Sequence, residues 1–119
     1  AVLLGAFRFA PEPAPWWKIG ATFVGILWVV ALSEEFFFRG IVQPWMGDWT
    51  RSREAGIAVA AILFGLAHLG FRTFPNWRFA VVAAVAGWFY GRAREQTGSI
   101  RASMVAHALT VTLWRAIFI

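Results

Sequence analysis

The sequence predicts an all-α protein, a polytopic bundle of about four membrane-spanning helices, and three observations carry that prediction. Hydrophobic residues make up 60% of the 119 positions and charged residues only 14%, against roughly 45–50% and about 25% in an ordinary soluble domain. The apolar residues come in long blocks, not in the short alternations of a half-exposed sheet. Arginines and tryptophans collect at the edges of those blocks. A soluble helical domain with an oversized core would account for the first observation alone.

A proline-punctuated stretch, APEPAPWWK, precedes the first block, and Pro11, Pro13 and Pro15 have no place inside a regular helix. Segment A then runs from about Ile19 to Met46, and segment B covers Glu54 to Gly70. Segment C runs from about Asn76 to Arg92, and segment D from about Ser99 to Ile119. A spanning helix needs about 20 predominantly apolar residues. Segments C and D fit that length, B is short, and A is long enough to tilt. Trp16, Trp17, Trp45, Trp49 and Trp77 lie near segment ends, where amphipathic rings favour the headgroup level. Small residues recur every fourth position in Ala83, Gly87 and Gly91, and again in Ala61 and Gly65, a spacing that lets helix backbones approach closely in lipid.

The net charge of +5 rests mainly on Arg51, Arg53, Arg72, Arg78, Arg92, Arg94 and Arg101, spread between the apolar blocks. A nucleic-acid partner would need these cations on one face. Scattered as they are, they read as anchors to the anionic headgroups of a lipid bilayer. Arg8, Lys18, Arg72 and Arg78 fall on one side and five arginines on the other, so the positive-inside criterion sets no orientation. The absence of cysteine excludes disulfides and thiolate metal sites. The chain reads as one membrane-embedded domain over residues 1–119. Its start at Ala1, midway through apolar residues, leads us to expect the core of a longer protein.

Within the blocks, the ionisable residues are Glu34, Glu35, Arg39, His68 and His107, with Arg115 near the chain end. Such groups are costly at membrane depth, face a cavity or one another, and mark functional sites. At 1.5 Å rise per residue, Glu35 lies about 17 Å in from Met46, His68 about 22 Å in from Arg53, and His107 about 14 Å in from Gly98. The three groups therefore fall within about 10 Å of one another in depth and are expected to converge on one cavity. Glu35 and Arg39, four apart, share a helix face and suit an ion pair. Glu34 points about 100° away and has no local cation. Carboxylates in such different environments take separate roles. Glu34 is the candidate general base, with Glu35 and Arg39 as its supporting pair. His68 shares a face with Phe64, and His107 with Ser103 and Val111.

These residues resemble the CPBP family of intramembrane proteases, which contains CAAX prenyl endopeptidases and bacteriocin-processing or immunity proteins. The family pattern is EExxxR, FxxxH and HxxxN on successive membrane helices. Here the first is Glu34, Glu35 and Arg39, the second is Phe64 and His68, and the third begins at His107. The position four later is Val111 where the pattern has asparagine, and the Thr110 hydroxyl, one helical step off, is a candidate substitute. The stretch TGSIRASMVAHALTVTLWR is also similar to a bacterial subgroup paired with C-terminal protein-sorting signals, the JDVT-CTERM type.

The resemblance implies an endopeptidase of the bacterial inner membrane acting on a membrane-anchored protein substrate with a C-terminal tail. Glu34 would activate a water with help from His68, and His107 would donate to the developing oxyanion. No cofactor is required by that scheme. Zinc held by two histidines and a carboxylate is the alternative, although the chain has no HExxH motif. Other classes remain open on the residues: a non-catalytic immunity or binding protein using the same polar cavity, and a b-type haem protein ligated by His68 and His107. A serine hydrolase on Ser103 and His107 lacks a nucleophile elbow and an orienting acid.

Overall fold

The computed structural model describes residues 15–118, so Arg8, Pro11, Pro13 and the last residue of segment D lie outside the described residues. Four helices follow one another: α1 (Trp16–Thr50), α2 (Arg53–Leu66), α3 (Trp77–Thr97) and α4 (Ile100–Ile117). Among the described residues there is no β-strand element. The all-α expectation holds. α1 is the one helix among the described residues long and apolar enough to cross a membrane by length and composition, with a mean hydropathy of 1.6. α2 has 14 residues, and α3 carries Arg78, Arg92, Arg94 and Glu95 towards its ends.

α1 is not uniformly wound. It opens after Pro15, whose fixed φ of −65° and extended ψ suit a residue just outside a helix. Two π-helical turns interrupt it, at Ile26–Ala31 and Phe38–Val42. The second lies immediately before Pro44, which has no N–H to donate and whose ring crowds the carbonyl four residues back, at Gly40. A widened turn there relieves both demands. It also changes the direction of Arg39 and Gln43, which are buried with Glu35 on one inward stripe.

The helix ends are chemically marked. Arg51 adopts a left-handed conformation (φ 57°) that stops α1. Ser52 Oγ accepts from Ala55 N at 3.1 Å and starts α2. Asn76 Oδ1 accepts from Phe79 N at 3.1 Å and starts α3. Gly98, at φ 70°, ends α3 in the left-handed region that glycine adopts without strain. Ser99 then caps α4. Residues of the α1–α2 junction (Gly47, Arg51, Arg53) line a common depression with Arg94 and Gly98, which puts the two junctions at the same end of the bundle.

Segment B stops earlier than its apolar run. The last regular bond is Ala67 N to Leu63 O, after which His68 N and Leu69 N donate to carbonyls only three residues back. Gly70 and Pro75 offer no helical continuation. His68 thus sits in the turn beyond α2, still tied to it through Phe64.

Small residues set the spacing of α1, α2 and α3. A Cβ built at Gly65 would lie 2.6 Å from Ala80 O, and one at Gly87 would lie 2.7 Å from Arg39 Nη2. At Gly91 the nearest atom would be Gln43 Oε1, at 2.8 Å. The small residues Gly65, Gly87 and Gly91 thus mark true close approaches. Two apolar clusters fill the rest, one around Phe64, Phe79, Ala83 and Tyr90 and one around Ile26, Ala31, Met104 and Ala108.

Candidate active site

Between those two clusters the bundle buries charge. Glu35 and Arg39 are both 0% exposed. They pair as the four-residue spacing on α1 requires, with Arg39 Nη1 3.3 Å from Glu35 Oε2. Arg39 Nη2 donates to Gly87 O on α3, an approach that the missing Cβ of Gly87 permits. Its guanidinium carbon also lies 4.7 Å from the Phe64 ring centroid and 5.4 Å from that of Tyr90. The planar cation is enclosed by one carboxylate, one carbonyl and two ring faces, while its Nε has no hydrogen-bond partner among the described residues.

α4 brings His107 to the same carboxylate. Its Nδ1 donates to Glu35 Oε2 at 2.8 Å. A carboxylate only accepts, so that bond places the proton on Nδ1 and presents Nε2 elsewhere. Nε2 faces Glu34 Oε2 at 3.5 Å. The ring plane is fixed by Tyr90, stacked at 4.9 Å and 9°, and by Phe64 edge-on at 5.6 Å. Glu34 is 31% exposed on its side chain, and its Oε2 has no hydrogen-bond partner among the described residues. A nitrogen lone pair and a carboxylate oxygen set face to face need a shared proton or a bridging donor between them.

Glu34, His68 and His107 line one cavity of about 440 Å3. Its other walls are mostly apolar, including Phe71, Val82 and Trp114. His68 donates from Nδ1 to Phe64 O at 2.6 Å, which leaves its Nε2 as the lone-pair nitrogen of the neutral ring. Of the five polar groups that sequence spacing singles out, Glu34, His68 and His107 line the cavity, and Glu35 and Arg39 are buried behind it with Glu35 bonded to His107. The carboxylates divide as expected, Glu35 sequestered with Arg39 and Glu34 open. Of the two histidines, His107 bridges the glutamates, with Nδ1 on Glu35 and Nε2 facing Glu34.

Thr110 lines the cavity, and its hydroxyl donates to Ala106 O at 2.8 Å. Val111 lines it too and packs on the Ile26 cluster. Ser103 Oγ donates within its own helix to Ile100 O. Among the described residues no group of three or more His, Asp or Glu is arranged to hold a metal ion. Both Nδ1 atoms are engaged, with Phe64 O and Glu35 Oε2, which leaves the two Nε2 atoms as the nitrogens able to bind a proton or a metal.

Two contributors escape the sequence reading. Gln43 is 1% exposed and donates to Gly91 O and Glu95 Oε1, both at 3.1 Å. It stands four residues after Arg39 and eight after Glu35, so the stripe was extendable by the same spacing. Tyr90, the one tyrosine in the chain, is 3% exposed and carries the stack on His107. Its position three residues after Gly87 puts it on the helix face that closes over Arg39.

The fold and site define a helical bundle that buries a glutamate–arginine–histidine cluster behind an apolar cavity. The chain belongs to the Rce1-like family, described as type II CAAX prenyl endopeptidase Rce1-like, whose profile matches residues 15–113. A curated relative is the uncharacterized protein YpbD of Bacillus subtilis (strain 168), 29% identical over 79 residues, which are 66% of this chain and 36% of that protein. The chain thus spans about a third of the length of the curated relative it matches. No solved structure matches it.

Proposed function

We propose that this chain is the core of an intramembrane endopeptidase that hydrolyses a peptide bond near the C-terminus of a membrane-anchored protein. Glu34 is the base. The observation that carries the reading is its position: half-exposed at the polar end of an otherwise apolar cavity, 3.5 Å from His107 Nε2. Glu34 takes a proton from water as the water oxygen bonds to the scissile carbonyl carbon. His107, protonated at Nε2 and held at Nδ1 by Glu35, donates to the oxyanion that forms. The bond to the amide nitrogen then breaks, and Glu34 returns its proton to the leaving amine. Arg39 holds the Glu35 carboxylate in place, and the lone-pair Nε2 of His68 orients the attacking water. Thr110 stands in for the asparagine that the family pattern has at the position of Val111. No metal takes part in these steps.

The membrane setting is supported by the outward-facing residues. Trp28, Val29, Phe36 and Phe37 on α1, Val81, Val85 and Phe89 on α3, and Leu109 and Leu113 on α4 are all exposed. A water-soluble surface rarely gathers so much apolar area. We take all four helices as the membrane-embedded bundle of one domain, resident in a bacterial inner membrane and continuing into a longer protein. The cavity walls suit an apolar, unprenylated tail of a C-terminal sorting signal.

The test is cleavage of such a tail by the purified protein in liposomes, with metal content measured in parallel. Product formation that disappears in Glu34→Gln and survives chelation supports the reading. Activity retained in Glu34→Gln ends it, and activity that tracks bound zinc ends the metal-free mechanism. Val111 favours a second reading, a non-catalytic binding or immunity protein, because the third motif lacks its amide. Unchanged biological activity in Glu34→Ala would select that reading.

A further inference from the structure

A second cavity of about 270 Å3 lies between the start of α1 and the last turns of α4, lined by Lys18, Ile19, Thr22, Thr112, Arg115 and Ala116. Two of these side chains are cations and none is acidic. No ion pair reaches Lys18 or Arg115 among the described residues. Thr112 is 4% exposed, yet its Oγ1 has no hydrogen-bond partner among the described residues. A helical threonine ordinarily donates to the carbonyl four residues back. Thr50, Thr97 and Thr110 all do so in this chain, at 2.6 to 2.8 Å. Thr112 keeps its hydroxyl for something else.

We propose that this cavity is an oxyanion site whose ligand is the phosphate of an anionic lipid. Lysine, arginine and two hydroxyls are the donors a phosphate takes, and their positive charge, which no carboxylate among the described residues offsets, selects against a neutral occupant. The level of the site supplies the source. Trp16 and Trp17 project into the surroundings one turn or less from Lys18, at 84% and 61% exposure, and indoles favour the headgroup layer. Arg115 also lines the larger cavity, so a lipid held here sits beside the far end of the space that holds Glu34. The inference takes α1 to span the bilayer and is independent of whether the chain cleaves anything.

Native mass spectrometry of the detergent-purified protein, with phosphatidylglycerol or phosphatidylcholine added at equal concentration, tests it directly. Phosphatidylglycerol is expected to be retained preferentially. Lys18→Gln and Arg115→Gln should each lower its retention about fivefold, Arg115→Lys should restore most of it, and the nearly isosteric Thr112→Val should lower it about threefold. Phosphatidylcholine retention should not change. Circular dichroism and elution volume identify any variant that fails to fold, and Thr112→Val then carries the test. Equal retention of the two lipids, or retention indifferent to Lys18→Gln and Thr112→Val, overturns the proposal. Displacement by millimolar inorganic phosphate assigns the site to free phosphate and overturns the lipid assignment. Displacement by a tail peptide with a free C-terminal carboxylate, but not by its amide, assigns it to a substrate terminus and does the same.

Discussion

His107 and Glu35, 72 residues apart in the chain, meet at 2.8 Å through Nδ1 and Oε2, and the same oxygen holds Arg39 at 3.3 Å. One carboxylate oxygen therefore orients an imidazole from α4 and neutralises a guanidinium on α1. The bond fixes which nitrogen of His107 looks into the cavity and at which glutamate it looks. All three groups are at most 3% exposed, so the arrangement has no solvent to fall back on.

Breaking that centre should be costly in stability. Glu35→Ala leaves Arg39 buried without its counter-charge, a loss of about 3–5 kcal/mol. Glu35→Ala combined with Arg39→Met should recover much of it, because the buried charge leaves with its partner. Denaturant titration of the detergent-solubilised variants checks the ordering. A Glu35→Ala protein as stable as the wild type would show that Arg39 finds another partner.

Glu34 should behave in the opposite way. Its carboxylate reaches the cavity and makes no hydrogen bond among the described residues, so Glu34→Gln should leave stability within about 0.5 kcal/mol of the wild type. Cleavage in liposomes should nevertheless fall by about 10²-fold or more, the share of a positioned general base. A large loss of stability with a small loss of turnover would exchange the roles assigned to the two carboxylates.

Tyr90 is expected to act through His107. The parallel stack at 4.9 Å comes from the ring, not the hydroxyl. Tyr90→Phe should therefore retain turnover, while Tyr90→Leu should lower kcat with little change in KM, because the loosened imidazole no longer meets the oxyanion. The stack itself is worth about 0.5–1.5 kcal/mol. Steady-state cleavage kinetics of the two variants separates ring from hydroxyl.

The stripe from Glu35 to Arg39 was legible because four-residue spacing on one helix fixes a shared face whatever the surrounding fold. The depth of Glu35, His68 and His107 was readable from rise per residue, but the cavity they were expected to share is lined by His68, His107 and Glu34, with Glu35 buried behind His107. Which imidazole would face which carboxylate was not legible, since that depends on how α4 rotates against α1. Counting back from segment ends gives depth but no azimuth. The end of α2 was missed because the apolar run continues to Leu69, while the backbone bonds shorten at His68. Gln43 continues the four-residue spacing from Glu35 and Arg39, and it was missed because it is not ionisable.

Glycine substitutions offer a test of packing and site together. A Cβ at Gly87 would lie 2.7 Å from Arg39 Nη2, 3.0 Å from Phe64 Cδ1 and 3.4 Å from Ala61 Cα. Gly87→Ala must displace the guanidinium from the Gly87 carbonyl, so it should cost about 1–3 kcal/mol and lower turnover as well. At Gly65 the obstacles are Ala80 O at 2.6 Å and the Ala84 Cβ at 2.7 Å, backbone and methyl with nowhere to swing. Gly65→Ala should be at least as destabilising, yet it touches no charged group of the site. Gly25 meets nothing within 4 Å, so Gly25→Ala should stabilise α1 by about 0.5–1 kcal/mol through helix propensity alone. Thermal unfolding should place Gly65→Ala at or below Gly87→Ala, both below the wild type, and Gly25→Ala above it. If Gly87→Ala melts like the wild type and cleaves normally, the Arg39 contact with α3 is dispensable, and the buried centre described around Glu35 must be held in some other way.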